Sequence, residues 1–317
     1  MELDLHKQLY RIIAHEDSFS LGTKYFEFIN NKGYISKGKY YHYTTLDTFK
    51  LILKSESLLF SNISTMNDPY EFSYGLHLAK NVLKDVYKDT SIGTANRAIY
   101  KGLLDLIDME LVKVKKSFYT VSFSNMPDSL PQWIAYGDGG GGVSIGITPN
   151  TRSFINLDKL IFNKVIYNRE IQSELIDYSL NFFEKYIRGF SLTSFFAELQ
   201  ADIYVSRKKL YTKYNFESFS KELLSKLSIL LNYMKIDHYS HENEFRWLLK
   251  TEAIPKSYGL KSGFLSKDIT GKRLPIKEIV LGPKIANSTL YWKEIERLLK
   301  KSGYSDVKIK FSKIPFR

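Results

Sequence analysis

Ser117-Phe118-Tyr119-Thr120-Val121-Ser122-Phe123-Ser124 is the stretch on which the fold class turns. Tyr119, Val121 and Phe123 fall on one side and Thr120, Ser122 and Ser124 on the other, the two-residue period of a strand with unlike faces. Upstream, Lys39–Thr44 has the same period, with Tyr41 and Tyr43 on one face and Tyr40, His42 and Thr44 on the other. Leu46–Ser55 follows as a helix, with Leu46, Phe49, Ile52 and Leu53 on one stripe and Thr45 or Asp47 as cap candidates. A short strand at 58–61 leads to the turn Asn67-Asp68-Pro69, and helices are expected over 71–88 and 94–116.

Downstream, Gly139–Gly142 predicts a flexible turn into the strand Val143–Thr148, in which Val143, Ile145 and Ile147 share a face. Gly146 lies opposite them, where something is expected to approach the backbone closely. Strands are expected at 158–167, 241–250, 276–281 and 307–314, and helices at 170–188, 192–214, 216–235 and 289–302. Short strands interrupted by helices, in no regular βαβ alternation, predict an α+β fold. The expectation is one domain over 1–317, with N-terminal helices within 1–38 (at 3–15 and 19–31) and an all-helical insertion at 170–235.

The chain has 317 residues, of which 44% are hydrophobic, enough to bury a sizeable core. It has no cysteine, which excludes disulfides, thiolate metal sites and cysteine nucleophiles. The opening MELDLHKQLY carries acids and no apolar run, and Leu223–Met234 is too short and polar to span a bilayer, so a cytoplasmic protein without membrane partners is expected. Six scattered histidines complete no ligand set, so no metal is expected. Neither a G-x-G-x-x-G after the first strand nor a phosphate-binding G-x-x-x-x-G-K-[ST] occurs. A net charge of +12 favours polyanionic partners, although a lysine-rich composition explains it as well.

Five local features carry candidate chemistry. His42 and Thr44, within Tyr41-His42-Tyr43-Thr44, offer hydrogen bonds suited to a ribose or an amide. Asn67, Asp68 and Glu71 bring more polar groups than a turn requires. Ser124, Trp133 and Tyr136 precede the four glycines, and Trp133 or Tyr136 is suited to stacking on a planar ring. In His241–Leu249, a strand projects Glu242, Glu244 and Arg246 together; an exposed ion-paired row explains this, but so does a carboxylate held for cation-like sugar chemistry. Arg207, Lys208, Lys209 and Tyr211 interleave bases with rings in the manner of single-stranded nucleic-acid binders, or of a solvated helix.

In their order, these stretches resemble a bacterial family of unknown function commonly found near defence and toxin genes. The resemblance runs through Tyr41–Thr44, Asn67–Glu71, Phe123-Ser124, Trp133/Tyr136, Gly142–Gly146, Glu242–Arg246 and Glu278–Pro283. That family is similar to the ADP-ribosyltransferase fold. The resemblance implies a split mixed sheet and NAD as substrate, bound by His42, Tyr43, Thr44, Asn67, Asp68, Glu71, Ser124, Trp133 and Tyr136. It implies Glu244 as the catalytic carboxylate, Glu242 as the alternate and Arg246 beside them. The acceptor would be nucleic acid or protein, in a toxin or anti-phage system with a cognate antitoxin or sensor. Rival readings are an NAD glycohydrolase and a catalytically inactive nucleotide- or nucleic-acid-binding module.

Overall fold

The computed structural model describes residues 38–65, 70–89, 94–148, 160–189, 223–224, 227–250, 263–265 and 274–315. In chain order the elements are β1 (Tyr40–Thr44), α1 (Leu46–Ser55), β2 (Leu59–Asn62), α2 (Tyr70–Lys88), α3 (Thr94–Lys115), β3 (Phe118–Ser124), α4 (Leu130–Ala135), β4 (Val143–Ile147), β5 (Leu160–Lys164), α5 (Arg169–Gly189), β6 (Glu244–Lys250), β7 (Gly263–Leu265), β8 (Ile276–Leu281), α6 (Thr289–Lys301) and β9 (Lys308–Phe311). The described residues fall into two compact units, one within 68–116 and 166–237 and the other within 29–67, 117–165 and 238–317. The expected N-terminal helices, the helix at 192–214, residues 216–222 and 225–226 of that expected at 216–235, and Asn67 and Asp68 lie outside the described residues.

The first unit is helical. Gly75 of α2 lies close to Leu231, where an added Cβ would stand 3.1 Å from the leucine Cβ. Tyr74 donates its hydroxyl to Gln172 at the start of α5 (2.7 Å), and the Gln172 amide in turn donates to the carbonyls of Ile166 and Lys235 (2.6 and 2.9 Å). No helix among the described residues is long and apolar enough to cross a membrane.

The second unit is built on one mixed sheet flanked by helices, the α+β arrangement expected. Its strand order is β5-β6-β3-β1-β4-β8-β9, with β2 on β3 and β7 on β2, giving nine strands among the described residues. All pairings are antiparallel except β8 with β9. The sheet forks at β3. One edge of β3 pairs with β6 throughout, whereas the other meets β2 at Tyr119 and Thr120 and β1 only at Ser124.

The two faces are set by the alternation legible in the strands. One carries Tyr40, Phe123, Ile145, Phe245, Trp247 and Ile279, and packs against Phe49, Ile52 and Leu53 of α1 and Ile295 and Leu299 of α6. Fully burying such side chains contributes roughly 1.5–3 kcal/mol each. Edge-on ring contacts, such as Phe123 with Trp247 at 5.1 Å, fix their orientation. Thr45 caps α1, its hydroxyl accepting the Thr48 amide. The other face carries Tyr41, Tyr43 and Val280 and is covered by Trp133 of α4.

Four details depart from the expected elements. The strand expected at 241–250 begins at Glu244, because 237–242 form a 3-10 turn and Asn243 takes a left-handed φ of 45°. Helix α4 is new: with proline in its first turn, it turns Gln132 and Trp133 inward. The three-residue β7 is also new. Finally, the glycine run is a pinned corner and not a flexible turn. Gly142 donates to the Gly137 carbonyl, Gly282 to that of Gly142 and Lys284 to that of Gly140, at 2.9–3.0 Å.

Candidate functional site

Strands β3 and β6 place Ser124 opposite Glu244 and Ser122 opposite Arg246. Residues directly opposite in a ladder share a face, so all four project from the Tyr41/Tyr43 side of the sheet. There the Glu244 carboxylate is clamped at both oxygens. Arg246 Nε donates to Oε1 (2.6 Å) and Nη2 to Oε2 (2.9 Å), and Ser122 Oγ donates to Oε1 (2.6 Å). Glu244 is 5% exposed and Arg246 2%. A buried carboxylate needs such paired, hydrogen-bonded neighbours to remain ionised.

Glu242 stands just outside this cluster. Its carbonyl accepts Ser124 Oγ (2.8 Å) and the Gln132 amide (3.4 Å), so the turn is tied to β3 and α4. Its half-buried carboxylate meets the Tyr136 hydroxyl at 3.5 Å. Tyr136 is 50% exposed, and so is much of Tyr239 (39%). Tyr239 precedes Glu242 by three positions in the 3-10 turn, a spacing that puts side chains on one side of such a turn. A carboxylate thus meets one half-exposed tyrosine, with a second on its own turn, at the rim of a hydrogen-bonded frame.

The structure brings Glu242, Glu244, Arg246, Ser124 and Tyr136 together on that face. It does not bring His42 and Thr44 there. They alternate with Tyr41 and Tyr43, and His42 lies beside Phe123 at 5.8 Å between ring centres, on the opposite side. Yet His42 and Glu244 meet at one residue. His42 Nδ1 is 3.0 Å from the Ser122 carbonyl, to which it donates, while Ser122 Oγ bonds Glu244. Burial holds the His42 pKa below the ordinary imidazole value, partly offset by that hydrogen bond, so the ring is neutral at pH 7.

Three residues expected to face a ligand are part of the scaffold instead. Trp133 is wholly buried, edge-on to Tyr43 at 4.7 Å, with its indole N–H on Asp128 (2.7 Å). Tyr43 is buried, its hydroxyl donating to the Met126 carbonyl (2.7 Å) and accepting the Ser129 amide (3.0 Å). Thr44 is buried as well. Large aromatic side chains alternate between core and ligand roles with no difference in local sequence, so burial decides. Glu71 falls in the first turn of α2. Asn67, Asp68, Arg207, Lys208, Lys209 and Tyr211 lie outside the described residues.

Two residues escaped the sequence reading. Tyr239 sat in a stretch without periodicity, although its spacing from Glu242 was visible. Asn163 of β5 lies opposite Arg246, fully buried, and its amide nitrogen has no hydrogen-bond partner among the described residues. Among the described residues no three His, Asp or Glu side chains gather as a metal site.

Glu242–Arg246 and the α4 segment from Gln132 to Tyr136 fall within one stretch, residues 132–247, matched by a family model described as a protein of unknown function, DUF2971. No curated protein and no solved structure matches the chain.

Proposed function

We propose that this protein cleaves the nicotinamide–ribose bond of NAD and transfers ADP-ribose to an acceptor, nucleic acid or protein. The observation that carries the reading is the Glu242 carboxylate, set against Tyr136 on a turn that also bears Tyr239 and is tied down by Ser124 and Gln132. In the reaction the C1′–N bond breaks, and nicotinamide leaves with the bonding pair, which neutralises its ring nitrogen. The ribose passes through an oxocarbenium-like state, and a bond forms from C1′ to the acceptor atom, whose proton passes to Glu242 or to solvent. A fixed carboxylate stabilises that developing positive charge. A tyrosine ring of the kind at positions 136 and 239 supplies a stacking surface for a planar heterocycle.

In this reading Glu242 is the catalytic carboxylate, the role first assigned to Glu244. Glu244, held by Arg246 and Ser122, positions β6 and the turn before it. With water as acceptor the same site is an NAD glycohydrolase, and the free product is then ADP-ribose. As part of a toxin or defence system, such an activity would be held in check by a cognate partner.

Incubation with NAD labelled in the adenylate moiety tests the proposal. Wild-type protein is expected to release nicotinamide, and Glu242→Gln to lower the rate about a hundredfold or more, the usual scale of losing one electrostatic group at such a transition state. Tyr136→Phe is expected to be mild and Tyr136→Ala to raise KM. Turnover indifferent to Glu242 but abolished by Glu244→Gln in a protein of unchanged fold would return the role to Glu244. Nucleotide binding without turnover would leave the inactive module.

A further inference from the structure

The two segments that carry the Glu242 site, 124–142 and 238–243, are rich in exposed apolar side chains and carboxylates, in a chain whose net charge is +12. Helix α4 turns Gln132 and Trp133 inward and leaves Leu130 and Ile134, one helical turn apart, at 39% and 60% exposure. Met126, whose amide is bonded to Ser124 Oγ, is 42% exposed. With Tyr136 and Tyr239, these make five large hydrophobic side chains exposed on two segments that Glu242 ties together. Scattered exposed apolar residues need no explanation, whereas a cluster beside a polar site marks an interaction surface.

Residues 124–142 and 238–243 contain the carboxylates of Asp128, Asp138 and Glu242 and no lysine or arginine. Lys284 reaches Gly139 from outside these segments, and Lys313 approaches Asp128 through its backbone amide. A nucleic acid needs cations along its phosphates, and these two segments supply carboxylates and no lysine or arginine of their own. Apolar anchors rimmed by polar groups are the composition of a protein-binding surface.

Resting on the reading of Glu242 as the catalytic carboxylate, we infer that the acceptor is a polypeptide: a basic segment with an aliphatic anchor that seats on Leu130, Ile134 and Met126 beside Tyr136. Charge complementarity places its basic side chain toward Asp138 and Glu242. The positive charge of the rest of the chain then serves other purposes than binding the acceptor.

Fluorescence anisotropy with full-length protein tests docking without any turnover, using a labelled Leu/Lys copolymer and, in parallel, a mixed-sequence single-stranded DNA and RNA oligonucleotide. The copolymer is expected to bind, and Ile134→Asp to weaken it about tenfold, the cost of one lost aliphatic anchor. The milder Ile134→Ser is expected to weaken it less, with unchanged thermal unfolding in both. Oligonucleotide binding is expected to be indifferent to either change. A copolymer that does not bind, or binds Ile134→Asp as tightly as wild type, overturns the inference. So does oligonucleotide binding that Ile134→Asp weakens. With labelled NAD, Ile134→Asp is expected to lower transfer to the copolymer while nicotinamide release to water continues. If wild-type protein releases no nicotinamide, the NAD reading fails, and the anisotropy result still decides the docking surface.

Discussion

Arg246 spends its guanidinium on Glu244, and the two side chains, both buried, must be understood as one unit. Removing one partner of such a pair strands a charge away from water, at a cost of about 3–5 kcal/mol. Glu244→Leu alone is therefore expected to lower the free energy of unfolding by that order, and Glu244→Leu with Arg246→Met to recover most of it. Urea unfolding of both proteins decides this; equal losses would mean that the pair is not the coupled unit described. The pattern Glu-x-Glu-x-Arg was legible in the sequence as three groups on one face. It misled only on the backbone of Glu242, which lies in a turn and not in the strand, because the left-handed Asn243 ends the alternation. Asparagine tolerates that conformation well, so the residue type was the available signal.

At the level of elements, the strands and long helices followed from periodicity. The helix Leu46–Ser55 and the strand Ile276–Leu281 lie where their stripes and alternation put them. Helix α4 was hidden because six residues hold less than two turns, too few for a 3.6-residue period to show. The burial of Trp133 was illegible for a different reason, since it depends on Tyr43, ninety positions earlier in the chain. The glycine corner misled by composition. Four glycines indicate freedom, yet here they allow backbone to approach backbone: a Cβ on Gly142 would collide with the Thr44 carbonyl, and one on Gly282 with that of Gly140. At Gly139, φ is 55° but the nearest neighbour is Lys284 Nζ at 3.4 Å from an added Cβ. Gly139→Ala is expected to cost about 1 kcal/mol, and Gly142→Ala several times more. Thermal denaturation separates them, and equal effects would contradict the pinned geometry.

For the sheet-bearing unit as a whole, a buried carboxylate and a partly buried imidazole tie stability to pH. Tyr41 reaches across Gly146 to donate to Glu278 (3.0 Å), and Lys39 and Lys310 donate to the same carboxylate (2.6 and 3.0 Å). Burial alone would raise the Glu278 pKa, but these donors outweigh it and hold it below the ordinary carboxylate range. A depressed carboxylate stabilises the fold above its unfolded-state value and loses that contribution as pH falls toward its folded one. His42, held neutral by burial, has the same sign: the unfolded chain takes up its proton first, so stability falls as pH drops below about 6.5. The melting temperature is therefore expected to fall in two stages on acidification, near pH 6 and again in the carboxylate range, and His42→Asn to blunt the first. A melting temperature flat down to pH 5 would argue against both the burial and the neutral state of His42.

Among the described residues, β9 pairs with β8 on one side and ends the strand order on the other. An unshielded row of peptide groups there would invite strands of neighbouring copies to add on. Lys308 and Lys310 alternate along it, and Lys310 is anchored by its ion pair with Glu278. Two copies approaching edge to edge would bring these ammonium groups into opposition before any backbone could bond. Lys310, which helps neutralise a buried acid, thus also works against edge-to-edge growth, so a change there touches colloidal behaviour as well as folding.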